Sequence, residues 1–181
     1  LDAARQLTNR SSGLMGVLIA QAANLRGAVV DLVHGPISVK EELLEGLNTY
    51  PVRTSTEMEK EIDALQPLAQ VIVMAAAVSD FKRISPINKK ISKELFLNSI
   101  FDDIEMTPDL IKNLTKKKLE NQIFLGFAAE TGTDKEIIEK AEKKRIQKGC
   151  DFIMANPIDR EGQGFNANFN SGVLLGPKKM S

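Results

Sequence analysis

The sequence has little that would tie it to a membrane, a metal centre or an oxidising compartment. Its one cysteine, Cys150, excludes an internal disulfide, and with one histidine there is no Cys/His cluster to hold a structural zinc. A reducing, cytoplasmic setting fits that usage. The 24 basic and 24 acidic side chains cancel, so no excess of positive charge suggests a nucleic-acid footprint or a membrane-surface protein. The longest apolar runs, VLIAQAANL and VIVMAAAV, fall short of the ~18 residues of a membrane span, and no charged start precedes a cleavable apolar segment. Two nucleotide signatures are also missing. No GxxxxGK[ST] occurs and no GxGxxG opens a helix. Repeats and low-complexity linkers are absent as well. A small-molecule partner is the class left standing.

What is present is an alternation of helix-period segments with short runs rich in Val, Ile and Phe, the pattern of βαβ units around a mostly parallel sheet. At 181 residues the chain is long enough for one domain, which would bury roughly 70% of its unfolded surface. A helix is expected from about Ser12 to Arg26, then strands at AVVDLV and TYPVRT. A second helix starts near Thr54, which with Glu57 has capping-box spacing, and ends before Pro67. VIVMAAAV reads as a central strand buried on both faces. From Ser79 to Met106 the alternation fails, and a mobile excursion with a short extended piece, LFLNSI, is expected. A helix restarts with Thr107 as N-cap and Pro108 at its first position. IFLGFAAE is a further buried strand, and Thr133 with Glu136 forms another capping box on a helix that Gly149 stops. DFIMANP is the last parallel strand, with an edge strand in the tail GFNANFNSGVLLG. The expected architecture is a three-layer Rossmann-like open sheet with a lysine-bearing flap and an edge hairpin.

Polar residues recur where strands end. In open parallel sheets ligands bind beyond the carboxyl ends of the strands, and three strands end in AAVSD, GFAAET and ANP, bringing Asp80, Glu130 and Asn156. Alanine runs there equally accommodate close helix packing. TNRSSGLMG places small polar residues at a helix N-terminus, whose unpaired N–H groups suit an anion; a serine-capped helix after a turn is the plainer alternative. Lys144 and Lys148 lie four apart on one helix face, suited to a polyphosphate or simply to water.

Taken in order, LDAARQLTNRSSGLMG, AAAVSDF, KKISKE, TPDLI, GFAAET, KKRIQKGCDFIMANP and GFNANFN resemble the phosphopantothenoylcysteine synthetase family, the ligase of coenzyme A biosynthesis, often fused to a flavin-dependent decarboxylase. The closer likeness is to the bacterial form that uses CTP, with Leu14 and Ser92 as departures from its SSGKMG-type loop and KIKK-type flap. The resemblance implies that the carboxylate of 4'-phosphopantothenate attacks the α-phosphate of CTP to give an acyl cytidylate and pyrophosphate, with Mg2+ assisting. The amine of cysteine then displaces CMP.

By the same resemblance Asn9 grips the acyl group and Lys90 is the flap lysine over the reacting phosphate. Arg5, Ser11, Ser12, Gly13, Ala76 and Ala77 line the substrate side. Asp80, Lys90, Pro108, Asp109, Leu110, Ile111, Phe127, Lys144 and Lys148 surround the nucleotide, Asp80 through the ribose or through magnesium. No side-chain nucleophile is required, so His34 is read as a loop residue and Cys150 as a small buried one. Family members are commonly homodimers, and they begin with a strand ahead of LDAAR; the resemblance therefore implies that one sheet strand is missing from residues 1–181. A dinucleotide-dependent reductase on a similar fold is disfavoured by the missing glycine fingerprint and by the absence of a Tyr/Lys pair at helical spacing. A nucleotide-binding module without chemistry would need neither Asn9 nor the Lys90 flap.

Overall fold

The computed structural model describes residues 1–85, 87–99, 103–160 and 171–177. The GFNANFN stretch and Pro86 lie outside them. The first helix, α1 (Leu14–Asn24), is followed by β1 (Asp31–His34), a 3₁₀ turn at Glu41–Leu44, and β2 (Asn48–Pro51), which pairs parallel with β1. Then come α2 (Ser55–Leu65) and β3 (Val71–Met74). The capping box of Thr54 and Glu57 is present at the start of α2. It follows from spacing alone, since two side-chain acceptors three residues apart each take the other's backbone N–H.

Beyond β3 the chain does not stay irregular, as the sequence suggests. It forms β4 (Phe81–Arg83), α3 (Lys93–Ser99) and β5 (Ile104–Met106), and β4 pairs antiparallel with β5. LFLNSI was expected to be extended, yet its described part is helical: Ser92 Oγ accepts from the Leu95 N–H and starts the turn. A Leu-Phe-Leu run satisfies either period over so short a length, and the serine decides it.

The next helix, α4 (Leu110–Lys116), starts later than expected. Asp109, not Thr107, is its N-cap, accepting from the Lys112 N–H at 3.2 Å. Thr107 is instead drawn sideways, its N–H donating to the Asp80 carbonyl at 2.8 Å. β6 (Ile123–Glu130), α5 (Asp134–Lys148), β7 (Phe152–Pro157) and β8 (Val173–Leu175) complete the order. Both signals on α5 hold: the Thr133/Glu136 box starts it, and Gly149, at φ 69°, ends it.

The main sheet has the order β3-β6-β7-β8, parallel except for β8, which runs antiparallel along the edge as the tail pattern suggests. One face carries Ile72, Met74, Phe124, Gly126, Ala128, Ile153 and Ala155, and it is sealed by α4 and α5 through Ile111, Leu114, Ile137 and Ala141. Gly126 is there for closeness, since a Cβ would stand 3.1 Å from Ile111 Cδ1 and 3.2 Å from Cys150 Sγ. A further cluster of Val52, Met58 and Leu110, with Val33, Ile62 and Met74 against it, joins the β1–β2 pair to β3.

β3 is not a central strand buried on both faces: among the described residues it ends the sheet, with Val71 56% exposed and Val73 36% exposed. Among the described residues β6 is sealed on one face only, its other side carrying the half-open Leu125 and Phe127 and the exposed Ile123. An uninterrupted apolar run does not tell one buried face from two when a β-branched strand sits at a sheet edge.

Candidate functional site

The carboxyl end of β3 is where the polar groups collect. Past Met74 the chain runs Ala75 to Asp80 without regular structure, leaving backbone carbonyls unclaimed by a sheet partner. Asn9, from the segment before α1, crosses to them: its side-chain amide lies 3.4 Å from the Ala77 carbonyl and 3.0 Å from that of Val78, donating to both. Asp80 is exposed and its carboxylate has no ion-pair partner among the described residues. Its carbonyl accepts from Thr107, which carries the turn of Pro108 and Asp109 to the same place. Thr107 is not a helix cap here; its hydroxyl is buried with no hydrogen-bond partner among the described residues, and no sequence pattern marks it.

The SSG loop behaves differently from a serine cap. Gly13 is itself the N-cap of α1, at φ 80°, and no side chain caps the helix. Ser11 Oγ accepts from the Gly13 N–H and Ser12 Oγ from the Leu14 N–H, so both serines fold the loop locally. The Ser12 backbone carbonyl accepts from the Ser38 N–H at 2.9 Å. Gly13 is obligatory on two counts: its left-handed backbone, and a Cβ that would run into Ile37. Ser12 takes the Leu14 N–H, but among the described residues no side chain accepts from the Met15 or Gly16 N–H, so that end of α1 is available to an anion.

The basic residues are not all free. Lys90 is exposed and without an ion-pair partner among the described residues, on the segment between β4 and α3. Lys144 and Lys148 do share the face of α5 that their spacing implies, but each meets a carboxylate. Lys144 Nζ is 2.6 Å from Glu130 Oε1 at the end of β6, and Lys148 Nζ is 3.4 Å from Asp109 at the cap of α4. Glu130 is therefore not an open strand-end carboxylate, and Asn156 is likewise engaged, donating to the Ser171 carbonyl.

Arg5 is also occupied. Its guanidinium donates to the Ile91 carbonyl, pairs with Asp2 and lies over the Phe96 ring. Leu110 and Ile111 turn their side chains into the core, 5% and 4% exposed, which leaves their backbone groups alone to serve a ligand. Ala76 is exposed beside Ala77, and Phe127 is half-buried on the less covered face of β6. Cys150 is buried, and burial pushes its thiol up to about 11, the value of an inert core residue. His34 ends β1, its Nδ1 2.8 Å from the Gly35 carbonyl.

Comparison with known proteins decides the family. Residues 1–181 match the DNA/pantothenate metabolism flavoprotein C-terminal domain along their whole length. The chain belongs to that family. Among curated relatives, the coenzyme A biosynthesis bifunctional protein CoaBC of Borreliella burgdorferi is 37% identical over 166 residues, covering 92% of this chain and 41% of that protein. The CoaBC of Escherichia coli strain K12 is 34% identical over 172 residues, covering 94% and 41%. The chain thus spans about 41% of the length of these relatives. A solved C-terminal domain of a CoaBC superposes with a TM-score of 0.71 at 29% identity, covering 97% of this chain and 76% of that one. A mutant Cab2 in complex with phosphopantothenate-cysteine superposes at 0.70 with 15% identity, covering 97% and 75%, a likeness of fold alone. In this member of the flavoprotein C-terminal domain family, the cluster of Asn9, Ala77, Val78, Asp80 and Thr107 lies beyond the carboxyl end of β3, the end of an open parallel sheet at which ligands generally bind.

Proposed function

We propose that this chain is the phosphopantothenate–cysteine ligase portion of a coenzyme A biosynthesis protein. It would activate 4'-phosphopantothenate with CTP as the acyl cytidylate and then form the amide with cysteine, releasing CMP and pyrophosphate. The observation that carries this reading is the grip of Asn9 on the Ala77 and Val78 carbonyls beside the exposed Asp80. Its support outside the site is the likeness to CoaBC relatives over more than nine-tenths of the chain.

The chemistry needs no nucleophile from the protein, because carboxylate and amine both arrive as substrates. It needs charge neutralised where a carboxylate meets a triphosphate. Lys90, with its ammonium unpaired among the described residues, meets that need over the reacting phosphate. The uncapped start of α1 takes an anionic group of phosphopantothenate, with Ser11, Ser12 and Gly13 shaping the approach. Lys144 and Lys148 reach a triphosphate by exchanging Glu130 and Asp109 for it, a trade between anions that costs less than stripping a lone ammonium of its water. Asn9 holds the acyl group in line.

Magnesium fits Asp80: it is a single carboxylate, exposed and not ion-paired among the described residues, and this ion usually binds through one or two carboxylates with phosphate and water oxygens. When bound, it neutralises phosphate charge. The Pro108–Ile111 turn offers backbone groups to the base.

The partner is a second copy of the chain, seated on the open face of the sheet. The test of the reaction is pyrophosphate release by the full-length protein given phosphopantothenate, cysteine and either CTP or ATP. Turnover with CTP is expected. No pyrophosphate with either nucleotide overturns the ligase reading, and turnover with ATP alone overturns the choice of nucleotide.

A further inference from the structure

Asp2 carries a carboxylate fully removed from solvent. One oxygen, Oδ1, accepts from the Ala4 N–H at 2.9 Å and the Arg5 N–H at 2.8 Å, closing a tight turn. Closing that turn requires nothing more. The other oxygen, Oδ2, nevertheless accepts from the Ile91 N–H at 3.3 Å and lies 3.3 Å from Arg5 Nη1. Arg5 donates from Nη2 to the carbonyl of the same Ile91, also at 3.3 Å, while its guanidinium sits 4.3 Å from the centre of the Phe96 ring. The two ends of one ion pair thus hold both backbone groups of the residue that follows Lys90. Burial alone would raise the Asp2 carboxyl, but the N–H groups of Ala4, Ile91 and Arg5 and the Arg5 charge together lower it, so the clasp is anionic at neutral pH.

Between β4 and α3 the Lys90 segment has no sheet or helix to hold it. Charge-assisted bonds on both sides of one residue therefore fix its backbone more firmly than neutral loop contacts would. Arg83 strengthens the same seam, donating to the Leu1 carbonyl at 3.2 Å from the end of β4. We infer that Asp2 is a positioning residue: acting with Arg5 on the backbone of Ile91, it sets where the Lys90 ammonium stands over the reacting phosphate. The inference rests on the role given to Lys90 above. Asp2 itself touches no substrate in this arrangement.

Asp2→Asn isolates the effect. It keeps an acceptor for the Ala4 and Arg5 N–H groups but turns an amide donor toward the two donors now facing Oδ2. In the full-length protein supplied with CTP, phosphopantothenate and cysteine, kcat for pyrophosphate release is expected to fall about tenfold with KM for CTP changed less than about twofold. In a Lys90→Gln background the same substitution should change kcat by less than about twofold, because a residue that acts through Lys90 has nothing left to act on. An equal loss in both backgrounds, or no loss in either, overturns the inference.

Hydrogen exchange at the Ile91 amide reads the clasp without turnover and should quicken about tenfold in Asp2→Asn; unchanged exchange also overturns it. Should Asp2→Asn fail to fold by thermal unfolding, Phe96→Leu unseats the Arg5 guanidinium and leaves the turn intact. It must show the same dependence on Lys90 or the inference fails. An unsubstituted protein that releases no pyrophosphate fails the ligase reading itself, and the positioning role falls with it.

Discussion

At the scale of single residues, the contacts of Asn9 predict what its replacement does. Asn9→Asp exchanges a donor for a carboxylate aimed at the Ala77 and Val78 carbonyls, three oxygens where one N–H₂ had joined two. The side chain must swing away, so the acyl intermediate loses its grip while nucleotide binding stays. Labelled acyl cytidylate should accumulate, with amide formation slowed by about tenfold or more; normal amide formation would contradict the role of Asn9. Lys90→Gln removes a cation from developing phosphate charge, for which losses of about 10²–10³ in kcat are usual. Unchanged pyrophosphate release would refute the flap role. Gly13→Ala meets both a left-handed backbone and the Ile37 side chain. A drop in stability of about 1–2 kcal/mol from the backbone alone is expected, with a larger fall in the melting temperature once the clash is added. The strand-end position of Asp80 was legible from where the apolar run stops, whereas Asn9 came from the family likeness and its reach to the Ala77 and Val78 carbonyls is visible only in the fold. The pairing of Lys144 and Lys148 with Glu130 and Asp109 was not legible, because helical spacing says which side chains share a face and nothing of what faces them.

Whole elements follow a similar division. Helices that begin with a side-chain acceptor and a reciprocal glutamate were readable from the sequence, because the capping box is local chemistry. α4 was not, because Thr107 has a rival use: its N–H goes to Asp80, and Asp109 takes the cap. The junction of α4, β6 and β7 makes its own prediction. Asp151 accepts from the Phe124 N–H at 2.7 Å and from Lys118 Nζ at 2.5 and 2.7 Å, tying the start of β6 to the chain after α4 and α5. Burial pushes its carboxyl up, but the Lys118 hydrogen bond, the Phe124 N–H and the Lys118 charge outweigh that and hold it below the ordinary carboxylate range. A carboxyl lowered by folding stabilises the native state above its unfolded value of about 4 and loses that contribution as pH falls through the lower folded value. Urea unfolding of the unsubstituted chain should therefore weaken below about pH 4, and Asp151→Asn should be less stable at pH 7 with a flatter acid limb. Identical pH profiles for the two would remove Asp151 from the account.

For the molecule as a whole, the open face of the sheet is the feature no single segment announces. Val71, Val73, Ile123, Leu125, Phe127, Phe152, Met154 and Leu174 share it by register across four strands, with no charged residue among them. Each run, read alone, looks like ordinary core. Only the order β3-β6-β7-β8 shows that α4 and α5 cover the opposite side, leaving Val71, Ile123 and Leu174 at 56%, 42% and 55% exposed. A patch of this kind marks an interaction surface more often than a solvated one. A formal net charge of zero leaves no long-range repulsion between copies, and a flat apolar surface complements its own image across a two-fold axis. A stable pair needs about 800 Å² from each partner, within reach of eight large side chains on one face. Leu174→Lys places a charge at the rim of that surface on an exposed residue, where a monomer would barely register the change, typically within about 0.5 kcal/mol. Sedimentation of the full-length protein should shift from twice the chain mass toward a single chain in Leu174→Lys, with its melting temperature falling as the protein is diluted. A variant that sediments as the unsubstituted protein does would place the partner elsewhere.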